Sequence, residues 1–225
     1  MNFTTMLRLM MVVGPRMIVN GQWRQVAYRL GTRLRGLDLD FVPVAELGAK
    51  PDRDCWYSDS GGPYLEAVLR KLDLRPSDTI LDLGCGKGGA LITFAKFPHA
   101  RLGGVDIAPK LLEIAKSNLA RMGINEVSLH CSNAAEFTAY DDYSHIYMYN
   151  PFLDVVMESV VANIQRSLER KPRDLKIIYL RPKCHDLLMR TSLFQEVTEY
   201  PCKDTTVRVY THRSDSGPGA QSTKT

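Results

Sequence analysis

The chain has 225 residues, of which 44% are hydrophobic and 24% charged, and its formal net charge is +4. That length suits one domain with an extension, and it can bury a core large enough to need no disulfide or metal staple. The charged fraction excludes a wholly disordered chain, and so small a net charge does not by itself argue for nucleic-acid binding.

The charge is unevenly placed. Residues 1–37 contain Arg8, Arg16, Arg24, Arg29, Arg33 and Arg35 and no Asp, Glu or Lys, so they carry +6 and leave −2 on residues 38–225. The longest apolar run near the amino end, Met6–Val13, is interrupted by Arg8 and stopped by Gly14-Pro15. It falls short of the ~20 apolar residues a membrane-spanning helix needs. An arginine-rich, acid-free amino end also resembles a mitochondrial transit peptide. The five cysteines, Cys55, Cys85, Cys131, Cys184 and Cys202, show no CxxC spacing, so neither a disulfide framework nor a zinc site is expected. Reduced thiols, no metal and a cytoplasmic location are the expectation.

Residues 20–37 read as an amphipathic helix whose Trp23, Val26, Ala27, Leu30, Leu34 and Leu37 share one face. That face is expected to pack on the domain with the arginines in water; the alternative is a basic surface for a membrane, nucleic acid or acidic substrate. Residues 48–63 read as a loop holding Trp56 and Tyr57, with Ser60 or Gly61 capping a helix that begins near Pro63.

Strand and helix then alternate. Strand-like runs cover Thr79–Leu83, Leu102–Val105, Glu126–Cys131, His145–Tyr149 and Leu175–Leu180; helical patterns cover Gly88–Phe97, Pro109–Met122 and Leu153–Leu168. Two more strand-like runs, Phe194–Tyr200 and Thr205–Thr211, follow with a connection too short for anything but antiparallel neighbours. The expected fold is α/β: a Rossmann-like, doubly wound, mostly parallel seven-stranded sheet with an antiparallel last strand, plus a helical amino extension. The expected organisation is a basic extension and lid loop over 1–59, a cofactor domain over 60–212, and a disordered polar tail over 213–225.

The central signal is Leu81-Asp82-Leu83-Gly84-Cys85-Gly86-Lys87-Gly88-Gly89, between a strand and a helix. Glycines there allow a tight turn and close approach of a ligand. Gly84, Gly86 and Gly89 also satisfy the dinucleotide fingerprint GxGxxG. Asp82 two residues before the first glycine, Asn-Pro-Phe after the fourth strand, two closing strands and the lack of a second chemistry-bearing domain argue against a nicotinamide cofactor.

The stretch resembles the first motif of the class I S-adenosylmethionine-dependent methyltransferases, and the likeness covers about residues 60–211. The resemblance implies S-adenosylmethionine as cofactor and S-adenosylhomocysteine as product. It implies that Asp82 anchors the loop and the methionine end of the cofactor, while Gly84, Cys85 and Gly86 admit the amino acid and ribose. Asp106 would take the ribose diol, Ile107 would pack on adenine, and Asn133 and Ala134 would lie at the adenine amino group. The family often has an acid where this chain has Asn133, whose side-chain carbonyl can still accept a hydrogen bond.

Asn150-Pro151-Phe152 is similar to the Asn/Asp-Pro-Pro-aromatic motif of methyltransferases acting on amino groups of nucleobases or glutamine, and lacks its second proline. Asn-Pro-Phe also occurs in small methyltransferases without an assigned substrate, some of which resemble the non-SET histone lysine methyltransferases. The resemblance implies that Asn150 touches both cofactor and acceptor, with Pro151 and Phe152 beside it. Tyr57, Phe152 and Arg181 are the candidate substrate contacts. The expected activity is methyl transfer to a nitrogen nucleophile on a protein lysine, small amine or nucleobase. The alternative is a catalytically inactive S-adenosylmethionine-binding module acting as a partner or scaffold. Membrane-surface contact through residues 1–37 is a further expectation.

Overall fold

The computed structural model describes residues 23–43, 56–149 and 154–214. In chain order the elements are α1 (Trp23–Leu34), β1 (Val42–Pro43), β2 (Trp56–Tyr57), α2 (Pro63–Leu69), β3 (Thr79–Leu83), α3 (Gly89–Phe94), β4 (Arg101–Asp106), α4 (Pro109–Arg121), β5 (Val127–Cys131), β6 (His145–Tyr149), α5 (Asp154–Arg170), β7 (Leu175–Leu180), α6 (His185–Arg190), β8 (Glu196–Cys202) and β9 (Thr205–His212).

Seven strands form one sheet in the order β5-β4-β3-β6-β7-β9-β8. β3, β4, β5, β6 and β7 pair in parallel, and β9 lies antiparallel between β7 and β8. The central strands are buried on both faces and are therefore almost uniformly apolar. Alternate residues feed two cores. Ile80, Tyr147 and Ile178 join Leu65 and Leu69 of α2, Leu91 and Phe94 of α3 and Leu119 of α4. Leu81, Ile146 and Ile177 join Met157 and Ile164 of α5 and Leu188 of α6 on the other face.

From β3 the chain winds through β4 and β5 to one edge; β6 then starts the other half beside β3. Between β3 and β6 the winding reverses, which opens a crevice at their carboxyl ends.

Several expectations are corrected. The cap of α2 is Gly62 (φ 87°), not Ser60 or Gly61, because the chain must turn left-handed beneath the Tyr28 ring, 2.7 Å from where a Cβ would sit. α3 ends at Phe94 rather than Phe97, where tighter turn bonds from Lys96 and Phe97 approach Pro98. Within the expected loop, Trp56–Tyr57 pairs antiparallel with Val42–Pro43. The α6 turn was not anticipated. Arg213 and Ser214, at the start of the expected tail, are tied to the domain: Arg213 reaches Glu196, and the Ser214 amide donates to Asp174 Oδ1 at 2.9 Å.

The largest correction concerns α1. It packs through Tyr28 and the buried Thr32, while Trp23, Ala27 and Leu34 of the expected core face are exposed. Periodicity shows which face is apolar, not what that face meets. The contact is fixed instead by polar anchors. Tyr28 Oη donates to Asp59 Oδ2 at 3.0 Å, and Leu37 beyond the helix turns into the core.

Candidate active site

The loop from Gly84 to Gly88 turns at three glycines of positive φ, Gly84 at 82°, Gly86 at 51° and Gly88 at 81°. The amides of Gly84 and Cys85 both donate to Val105 O, at 2.8 and 3.0 Å, which lays the loop against the end of β4. Gly104 permits this approach: a Cβ there would sit 2.7 Å from Cys85 Sγ.

Asp106 ends β4 and ties two elements together. Its Oδ2 accepts from Gly86 N at 2.8 Å and its Oδ1 from Ala108 N at 2.9 Å. It thus braces the glycine loop and the entrance to α4 as well as facing the crevice. Each oxygen keeps a second lone pair, so a diol can still be received. Burial raises the Asp106 carboxyl above the ordinary range, and the backbone donors oppose that shift.

Asp82 lies on β3 opposite Gly104 on one side and Tyr147 on the other. It is 2% exposed, and none of the hydrogen bonds among the described residues ends on its carboxylate. Burial pushes its carboxyl well above the usual range, and repulsion from Asp106 and Asp59 adds to the rise. The Cys85 thiol is also pushed well up, chiefly by burial, so it is no nucleophile at neutral pH.

Two participants escaped the sequence reading. Asp59 is half-buried, accepts from Tyr28 Oη and from Gly61 N (2.9 Å), and packs on the start of α3, where a Cβ on Gly89 would meet its Oδ1 at 1.9 Å. Burial raises its carboxyl too. The Ser58-Asp59-Ser60-Gly61-Gly62 run was the available signal, a turn sequence with an acid inside it. Lys87, inside the glycine loop, is 1% exposed. Its ammonium pairs with Asp38 and donates to Asp40 O at 2.9 Å, while Asn118 Nδ2 bridges Asp38 O and Lys87 O. The loop lysine therefore clasps the chain just after α1.

Ile107 leaves its side chain 60% exposed beside Asp106, an apolar platform at the crevice rim. Ala134 is buried, and Asn133 Oδ1 is already used, accepting from Ala135 N at 3.0 Å in a local turn. Tyr57 pairs through its backbone with Val42, which packs on Ala108 and Leu111 at the start of α4. Arg181 is exposed at the end of β7 in a left-handed conformation (φ 53°). Asn150, Pro151 and Phe152 follow β6 directly and lie outside the described residues. His145 is buried at the amino end of β6, away from the crevice. Among the described residues no group of three or more His, Cys, Asp or Glu could hold a metal ion.

Residues 80–171 match a family described as a methyltransferase domain. Over 126 residues the chain is 37% identical to a sterol 4-C-methyltransferase from Caenorhabditis elegans, a match covering 53% of this chain and 36% of that protein. A ribosomal protein L11 methyltransferase from Thiobacillus denitrificans is 32% identical over 119 residues, covering 52% and 36%. The chain thus spans about a third of the length of these curated relatives. A solved S-adenosylmethionine-dependent O-methyltransferase from Thermotoga maritima shares the fold at TM-score 0.55 and 12% identity, over 70% of this chain and 67% of that one. An RNA methyltransferase from Salinibacter ruber, solved with S-adenosyl-L-homocysteine, does so at TM-score 0.52 and 18% identity, over 71% and 97%. The fold is shared with solved S-adenosylmethionine-dependent methyltransferases, and the relatives' acceptors range over sterol carbon, protein and RNA.

Proposed function

We propose that this protein transfers a methyl group from S-adenosylmethionine to a nitrogen nucleophile. The observation that carries the cofactor reading is the convergence of the buried Asp82 with the half-buried Asp106 and Asp59 around a glycine loop at the switch point of the sheet. A sulfonium cofactor with a ribose diol and an ammonium group suits this set. It brings positive charge where carboxylates repel one another, and hydroxyl donors where Asp106 has lone pairs to offer.

When bound, the cofactor supplies an electrophilic methyl group on sulfonium. Asp82 and the backbone of Gly84–Gly86 would hold its methionine end, Asp106 its ribose, and Ile107, Asn133 and Ala134 its adenine. Asn150 would accept a hydrogen bond from the acceptor nitrogen and orient its lone pair. Pro151 would keep the turn rigid, and Phe152 would cover the acceptor and exclude water. An amine must be uncharged to attack, so desolvation by these residues favours the reactive form. Tyr57 and Arg181 are assigned to the acceptor side.

The nitrogen assignment rests on the Asn150-Pro151-Phe152 sequence directly after β6. Its test is transfer of labelled methyl from S-adenosylmethionine into fractionated extract, scored as protein, nucleic acid or small molecule. Label on nitrogen, lost in Asn150→Ala with cofactor affinity retained, is the expected result. Label on carbon or oxygen, or full activity in Asn150→Ala, would overturn it.

A further inference from the structure

Much of the apolar stripe of α1 is left uncovered by the domain. Trp23 is 55% and Leu34 62% exposed, Ala27 is exposed, and Leu30 is half-buried. At about 100° per residue, positions 23, 27, 30 and 34 fall on one line, opposite Tyr28 and Thr32. Arg24 and Arg35 then run along one flank of the stripe and Arg29 and Arg33 along the other, all of them exposed. The helix contains no acid. Arg33 pairs with Asp40 at 3.0 Å, but both side chains stay more than 70% exposed, so the charge is weakly compensated.

The helix is held in this orientation at both ends of its packed face. Tyr28 Oη is bonded to Asp59, and beyond the helix Asp38 is clasped by Lys87 and by Asn118, whose Oδ1 accepts from Asp38 N at 3.0 Å. Rolling the stripe inward would break these bonds. A cavity of about 310 Å³ between α1, α2 and α3 shares Trp23 and Ala27 with the stripe and is also walled by Ile92 and Met122.

Charge selects the occupant. A second copy laid stripe to stripe would bring like-charged flanks together. Residues 1–22 carry Arg8 and Arg16 and no acid, so they offer no complement either. A polyanion alone would satisfy the arginines and leave the tryptophan and leucines between them in water. An anionic lipid surface answers both demands, with phosphates at the flanks and apolar depth in the middle. No described helix is long and apolar enough to cross a membrane, so the contact lies in the interface plane.

We propose that α1 seats the protein on anionic lipid bilayers, with Trp23, Ala27, Leu30 and Leu34 in the interface and Arg24, Arg29, Arg33 and Arg35 at the level of the phosphates. This does not depend on the nature of the methyl acceptor.

The test is co-sedimentation of the full chain with phosphatidylcholine vesicles, alone or with about 30% phosphatidylglycerol, a charge density that attracts basic segments. Binding is expected only to the anionic vesicles. Arg24→Gln and Arg29→Gln should each lower partition about fivefold. Trp23→Ser with Leu34→Ser should abolish binding and leave the melting temperature unchanged, because both positions are exposed. The only tryptophans are Trp23 and Trp56, so a Trp56→Phe background isolates Trp23 emission, which should shift to shorter wavelength on anionic vesicles. Absence of sedimentation with anionic vesicles would overturn the proposal. So would binding that survives loss of Trp23 and Leu34, which would reduce the contact to charge alone. Self-association that disappears in Leu34→Ser, without vesicle binding, would assign the stripe to a second copy.

Discussion

Replacing Asp82 by Asn should stabilise the ligand-free protein while weakening cofactor binding. Asp82 is buried on the central strand, faces repulsion from Asp106 and Asp59, and receives no hydrogen bond among the described residues. An amide of the same shape removes the buried charge and leaves packing against Tyr147 and Gly104 intact. Relief of a destabilised functional site is worth about 0.5–2 kcal/mol. In a chain of this size each 1 kcal/mol raises Tm by about 2–4 °C.

The pH dependence gives the sign. The folded-state pKa of Asp82 lies above its unfolded value. Its favourable contribution is therefore complete below the unfolded pKa and is lost as pH rises through the folded one. The variant should match the wild type in acid and exceed it at neutral pH. Thermal melts across pH, with and without S-adenosylhomocysteine, measure both effects. The ligand-induced rise in Tm should shrink in the variant, because the carboxylate assigned to the methionine end is gone. A variant less stable than wild type at neutral pH would show that the carboxylate is satisfied in the fold, and would refute the reasoning.

Asp106→Ala removes the acceptor for Gly86 N and Ala108 N, so it should lower S-adenosylhomocysteine affinity at least tenfold by calorimetry and destabilise the loop by about 1–3 kcal/mol. Gly104→Ala drives a Cβ into Cys85 and should cost about 1–3 kcal/mol in urea unfolding, with part recovered by Cys85→Ala. His145 is buried with its pKa lowered to about 4, chiefly by desolvation. Its contribution to stability should fade as pH drops from about 6.5 toward that value, and His145→Gln should flatten this part of the acid limb in denaturant titrations.

The strand and helix order was legible because each strand carries a short apolar run and each helix a 3.6-residue stripe, signals that depend on near neighbours alone. Asp82, the glycine loop and Asp106 were legible for a related reason: a tight turn between strand and helix writes its glycines and flanking acids in consecutive positions. The sequence likewise marked α1 as amphipathic and arginine-flanked. Which way that helix faces was decided by Tyr28 meeting Asp59 and by Lys87 reaching Asp38, contacts separated by 31 and 49 residues. The acidic character of the crevice depends on the same kind of meeting, since Asp59 joins Asp82 and Asp106 only after the 59–62 turn docks on α3. A sequence fixes the chemistry and period of each segment by itself. The partner across a gap of tens of residues, and with it the burial that shifts a carboxyl or exposes a tryptophan, exists only once the sheet has brought the segments together.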